Sequence, residues 1–265
     1  MKIYISVDIE GITGVTSWSE TEKNHSDFER FANQMTKEVK AACEGAFEAG
    51  ASEIYVKDAH DSARNIDINE LPEYVKLSSG WTGDPMSMVS GLDSSFDATM
   101  FIGYHSRAGS GTSPLAHTLN TSISHIKLND IYVSEFLINA YAAALYDVPV
   151  VFVSGDKGLI EEVSLTNGNI KTLAVKEGIG GSAVSIHPRK AIEATKSLVK
   201  KALKEDYNLC RITLPSNFKV EIAYQKHETA YRNSFYPGVK LVSPKVIEFT
   251  TNDYYEVLRL FHFLA

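Results

Sequence analysis

Three carboxylates and two imidazoles fall in this chain where an apolar run gives out. Asp8 and Glu10 close the run IYISV, His60 ends EIYVKDAH, His105 ends ATMFIGYH, and Glu135 follows Ser134 at the start of a helical stretch. Like charges at Asp8 and Glu10 repel, and would raise one pKa unless a cation lies between them. Carboxylate oxygens and imidazole nitrogens are usual donors to zinc or a similar divalent metal. The charge balance suggests two ions, because three carboxylates and two divalent cations leave room for a bridging hydroxide. Such an oxygen, held by metals about 3.5–4 Å apart, is a strong nucleophile at neutral pH. In this reading Asp8 bridges, Glu10 and His60 hold one ion, and His105 and Glu135 hold the other. Each histidine taken singly reads as an ordinary strand-end residue. Their coincidence at corresponding strand ends favours a metal cluster.

The elements that must position these groups read as α/β. Ile3, Ile5 and Val7 alternate with Tyr4 and Ser6, the period of a strand, and extension to Glu10 would put Asp8 and Glu10 on one face. Ser26 and Glu29 form a capping-box pattern before an amphipathic helix that Gly50 closes. EIYVKDAH supplies a second strand, giving a parallel strand–helix–strand unit, and YVKLSS a short third. ATMFIGYH and VPVVFVSGD read as strands buried on both faces, and IKTLAVKEG as a further one. ISHIKLNDIYVSE reads as a hairpin turning at Asn129-Asp130, followed by a helix through Phe136–Leu145. Pro188 opens another helix. Beyond about Leu214 the pattern shifts to FKVEIAY, KVIEFT and a terminal amphipathic segment. The expected architecture is a mostly parallel sheet flanked by helices, with a smaller α+β C-terminal part. Residues 1–210 would form the metal-binding catalytic domain and 211–265 the C-terminal segment, packed on the first as one unit. In open parallel sheets ligands bind beyond the carboxyl ends of the strands, where these donors collect.

Composition narrows the class. The 265 residues are 44% hydrophobic and 22% charged, with a net charge of −7, which disfavours nucleic acid as the main partner. FLINAYAAALYDVPVVFV is the most apolar stretch, but Asn139, Asp147 and Pro149 break it, so no membrane partner is expected. Asp8 and Glu10 stand where the apolar core of a secretory signal would run. The two cysteines, Cys43 and Cys210, lie far apart and supply no disulfide framework. A cytoplasmic enzyme fits these observations.

SVDIEG, DAH at 58–60, GYHSRAG at 103–109, SEFLINAY at 134–141 and SGD at 154–156 occur in order through the first 190 residues. Together they resemble the zinc-dependent D-aminopeptidase family of bacterial dipeptide-transport operons, peptidase family M55. The resemblance weakens in the C-terminal part. It implies two zinc ions per chain, with Asp8 bridging, Glu10 and His60 on one, and His105 and Glu135 on the other. It also implies a catalytic histidine in the loop after His105, which falls on His117. A ring-shaped homodecamer with active sites facing an internal cavity is implied too, as are short peptide substrates with N-terminal D-amino acids.

Several other residues carry weaker signals. Asp58 could orient His60, Arg107 could receive a substrate carboxylate, and Asp156 could line the pocket or cap a helix. EGIGGS at 177–182 lacks the lysine and spacing of a phosphate loop and reads as a turn. Trp18 and Trp81 lie in loops that could serve interfaces. The expectation is a metallo-aminopeptidase acting through a metal-bound hydroxide. A binuclear phosphoesterase could use the same ligands, and a non-catalytic metal- or peptide-binding oligomer is the alternative from another class.

Overall fold

Apolar strands that need cover on both faces, alternating with helices, build the main layer of this chain. The computed structural model describes residues 1–265. In chain order the elements are β1 (Lys2–Val7), α1 (Phe28–Glu48), β2 (Glu53–Asp58), β3 (Val75–Ser78), β4 (Ala98–Tyr104), β5 (Ile123–Leu128), β6 (Ile131–Tyr132), α2 (Glu135–Ala144) and β7 (Val150–Asp156). There follow α3 (Lys157–Thr166), β8 (Lys171–Ile179), β9 (Ser182–Ser185), α4 (Pro188–Lys204), β10 (Phe218–Tyr224), α5 (His227–Asn233), β11 (Lys240–Ser243), β12 (Val246–Thr251) and α6 (Tyr254–Leu264).

Seven strands form one sheet in the order β3-β2-β1-β4-β7-β8-β9, parallel throughout except for β9 at the edge. β4 and β7 are buried along their whole length, and β1 from Ile3 onward. Burial on both faces explains why Tyr4 and Ser6 are as enclosed as the apolar residues between them. Five strands form a second, antiparallel sheet in the order β11-β12-β10-β5-β6. The hairpin of β5 and β6 pairs there with C-terminal β10, so this sheet joins the middle of the chain to its end. Asn129 and Asp130 make the expected hairpin turn with φ of 52° and 67°. α6 packs against β10, β12 and α2, bringing the C-terminal segment to the carboxyl edge of the main sheet.

One local expectation is corrected. The capping box at Ser26 and Glu29 does not form; α1 starts at Phe28 without a side-chain cap. The carboxylate that caps an upstream turn is Glu20, which accepts from the N–H groups of Thr16 (2.6 Å) and Ser17 (2.9 Å). Both cysteines are free and buried, and no helix is long and apolar enough to cross a membrane.

Candidate metal centre

β1 stops at Val7, and the chain turns instead of extending to Glu10. Asp8 N–H still pairs with Ile102 O at 2.9 Å, Gly11 N–H with Gly103 O at 2.8 Å, and Ile12 N–H with Ile9 O at 3.1 Å. Gly103 makes this turn possible: its φ is +70°, and a Cβ there would overlap Asp8 O. Lys176, buried in β8, donates from Nζ to Glu10 O and, at 2.6 Å, to Val15 O. Asp8 and Glu10 are thus aimed together by a braced turn, not by strand alternation.

The five side chains singled out in the sequence converge. His60 Nδ1 lies 3.3 Å from Asp8 Oδ1 and 3.0 Å from Glu10 Oε2. His105 Nε2 lies 3.5 Å from Asp8 Oδ2 and 3.5 Å from Glu135 Oε2. Asp8 therefore turns one oxygen to each histidine, the disposition of a carboxylate shared between two centres. Glu135 stands at the start of α2, where Ser134 caps by accepting from Leu137 N–H, and its Oε1 accepts from Leu119 N–H at 2.7 Å. His117 joins from the loop after β4, its Nε2 3.7 Å from Glu135 Oε1. Its ring stacks on His105 with centroids 4.3 Å apart, and the edge of Trp18 meets it at 5.3 Å. Donor atoms of Asp8, Glu10 and His105, and those of His105, His117 and Glu135, form two groups each compact enough to hold an ion.

Each histidine gives one ring nitrogen to a backbone carbonyl. His60 Nε2 donates to Thr21 O, His105 Nδ1 to Ser106 O, and His117 Nδ1 to Leu115 O, all at 2.9 Å. A carbonyl only accepts, so the proton of a neutral ring is fixed on that side. The other nitrogen then aims a lone pair at a carboxylate, a repulsive contact unless a proton or a cation lies between. Glu10 Oε2 and His105 Nε2 are buried without a hydrogen-bond partner. This donor set fits zinc: mixed imidazole and carboxylate, tautomers fixed from outside, unsatisfied atoms inside.

Electrostatics carries the same message. Burial raises Asp8 well above the usual carboxylate range, and the neighbouring charge of Glu10 adds to it. For Glu10, burial is the largest influence and pulls the same way, but His60, His105 and the Asp8 contact together outweigh it and hold the carboxyl well below its ordinary value. Burial disfavours charge on both histidines too. The carboxylates win, raising His60 well above the ordinary imidazole value through Glu10 and Asp8, and His105 to about 10 through Glu135 and Asp8. The carboxylates thus favour positive charge between themselves and the imidazoles, in the places where cations would sit.

The remaining sequence candidates lie elsewhere. Asp58 does not touch the His60 ring; it accepts from Asn65 and Ile66, and Asn65 in turn donates to His60 O. Arg107 lies over the Tyr132 ring and donates to Ala108 O, outside the cavity at the cluster. Asp156 is a buried cap of α3 that also accepts from Ser106 N and Oγ, bracing the carbonyl that orients His105. EGIGGS spans the turn of the β8–β9 hairpin. The cluster opens into a cavity of about 460 Å³ whose walls include Trp18, Trp81, Met86, Ile138, Asn139 and Phe261. The 83–89 segment, α6 and Asn139 were not singled out in the sequence as parts of a site. Only Asn139 left a signal there, as a polar residue four positions after Glu135 in an otherwise apolar helix.

The chain is similar to known proteins along nearly its whole length. The family model described as D-aminopeptidase matches residues 1–263. A D-aminopeptidase of Bacillus subtilis (strain 168) is 33% identical over 258 residues, covering 97% of this chain and 93% of the relative. The solved structure of the zinc-dependent D-aminopeptidase DppA from Bacillus subtilis, a self-compartmentalizing protease, superposes with a TM-score of 0.94 at 30% identity, over 100% of this chain and 96% of that one. The chain belongs to the D-aminopeptidase family, Peptidase_M55.

Proposed function

We propose that this chain is a zinc-dependent aminopeptidase that cleaves short peptides with N-terminal D-residues, using two zinc ions. The observation that carries this is the set of fixed histidine lone pairs aimed at carboxylates, with Glu10 Oε2 and His105 Nε2 left unsatisfied. Asp8 would be shared between the ions, with Glu10 and His60 holding one and His105 and Glu135 the other. Zinc, when bound, would supply Lewis acidity toward the scissile carbonyl and a water. His117 is the catalytic residue. With Nδ1–H given to Leu115 O, its Nε2 takes the proton of the attacking water and returns it to the departing amine nitrogen. Trp18 and the stacked His105 ring hold the imidazole in place.

A cavity of about 460 Å³ suits a ligand of a few residues. No lysine or arginine lines it, which counts against the phosphoesterase reading, because an in-line phosphoryl transfer needs cationic partners beyond the metals. Residues 1–210, which hold all the proposed ligands, would form the catalytic domain, and 211–265 would complete the second sheet and one cavity wall as part of the same unit. A closed homodecamer in the cytoplasm is the proposed setting, supported by the self-compartmentalizing neighbour. The test is hydrolysis of D- and L-alanyl dipeptides and a phosphoester by zinc-loaded protein, beside light scattering. The expected result is D-peptide cleavage abolished by chelation and restored by zinc, from a particle of about ten chains. Phosphoester cleavage without peptide cleavage would overturn the reading.

A further inference from the structure

Asn139 lies one helical turn beyond Glu135 on α2, so the two side chains enter the same cavity. It is 3% exposed. Its amide nitrogen is turned to the wall, where Nδ2 donates to Tyr104 Oη at 3.1 Å and to Met88 Sδ at 3.3 Å. The hydroxyls behind it fix which end of the amide points that way. Ser6 Oγ donates to Met88 O at 2.7 Å, using its only proton. The 2.8 Å contact between Ser6 and Tyr104 is therefore made by the Tyr104 proton. Tyr104 Oη then has only lone pairs left, and Asn139 must meet it with N–H. A flipped amide would put Oδ1 against an oxygen with nothing to donate. Oδ1 is left to the cavity, accepting no hydrogen bond from the chain.

A neutral acceptor with its orientation fixed, beside the cluster, calls for a donor on the ligand. The cavity wall carries Glu22, Asp61 and Asp84 in addition to the cluster and has no lysine or arginine, so it favours a cationic donor. We propose that Asn139 Oδ1 accepts a hydrogen bond from the α-ammonium group of the peptide substrate, making Asn139 a determinant of the requirement for a free N-terminus. The inference rests on the aminopeptidase reading and adds to it the residue that recognises the amine. The cluster carboxylates are committed to the ions in that reading, whereas the Asn139 carbonyl is free. Acceptance from a peptide N–H instead would not distinguish free from blocked substrates, and the test separates the two.

The experiment compares D-alanyl-glycine with propionyl-glycine, which lacks only the amine, on zinc-loaded wild type, Asn139→Ala and Asn139→Asp. A hydrogen bond to a charged group is worth about 1.5–3 kcal/mol, so Asn139→Ala should lower kcat/KM about 10–100-fold on the amine-bearing peptide and within about twofold on its analogue. Asn139→Asp keeps an acceptor toward the cavity once the Tyr104 proton turns from Ser6 to the new carboxylate, and should retain the preference for the free amine. Calorimetric affinity for D-alanine against propionate should show the same pattern, with zinc content unchanged in all three proteins. Equal losses on both peptides, or an amine preference that survives Asn139→Ala, would overturn the proposal. A wild type that cleaves neither peptide would fail the aminopeptidase reading alone. The binding comparison would still decide the amine contact, for or against, by whether Asn139→Ala weakens D-alanine more than propionate.

Discussion

Replacing His117 by alanine separates a proton carrier from a metal ligand. His117 Nε2 stands 3.7 Å from Glu135 Oε1, and His105 Nε2 stands 3.5 Å from Glu135 Oε2, so distance alone does not divide the roles. The carboxylate oxygens do. Oε1 already accepts from Leu119 N–H at 2.7 Å, while Oε2 is directed to His105. In the proposed reading His117 therefore faces the engaged oxygen and is left to move a proton at Nε2. General acid–base transfer contributes about 10²–10⁴-fold; we expect kcat for a D-alanyl dipeptide to fall about 10²–10³-fold, or ~2.7–4 kcal/mol of barrier. KM should change little, and zinc content should stay at the wild-type value. Removing the ring also loses two aromatic contacts, at 4.3 Å and 5.3 Å, costing about 1–3 kcal/mol of stability. His117→Gln restores bulk without a titrating nitrogen, so it should recover stability but not kcat. A kcat within threefold of wild type would refute the catalytic role, and a parallel loss of zinc would make His117 a ligand.

Zinc loading at pH 7 should release protons, because metal displaces those that the carboxylates favour on His60 and His105 and that burial favours on Asp8; calorimetry in buffers of different ionisation enthalpy measures this, and zero release would contradict the exchange of protons for metal. Gly103→Ala should destabilise the fold by at least about 2 kcal/mol in denaturant titration, since its Cβ would overlap Asp8 O at a φ of +70°, and zinc affinity should fall with it. Glu48 on α1 is hydrogen-bonded by Lys200 and Lys196 of α4, which lower its carboxyl from 4.5 to about 2. That contribution is fully present above about pH 4.5 and is lost as pH falls through about 2. Glu48→Gln should therefore flatten the acid limb of the stability curve, by an amount that shrinks in high salt.

The strand ends were legible in the sequence because buried parallel strands leave continuous apolar runs, and the donors follow where those runs stop. Asp8, His60 and His105 could be read that way from residue types alone. Their convergence depended on the β2-β1-β4-β7 order, which places the three strand ends side by side and which no local pattern specifies. The orienting contacts were not legible. His60 is turned by Thr21 O, a backbone carbonyl in another loop, and not by the nearby Asp58. Ser26 and Glu29 matched the capping-box spacing, yet the helix starts at Phe28 with no side-chain cap, so the motif's residues were present without its geometry. Asn139 shows the limit clearly: its position four after Glu135 is readable, but the direction of its amide depends on Ser6, Met88 and Tyr104, which meet only in the folded chain.

The central claim, two zinc ions sharing Asp8, is tested most directly by anomalous diffraction at the zinc edge from crystals of the zinc-loaded protein. The account predicts two peaks per chain about 3.5–4 Å apart, one flanked by Glu10 and His60, the other by His105 and Glu135, with an oxygen of Asp8 on each. A single peak, or peaks away from Asp8, would contradict it.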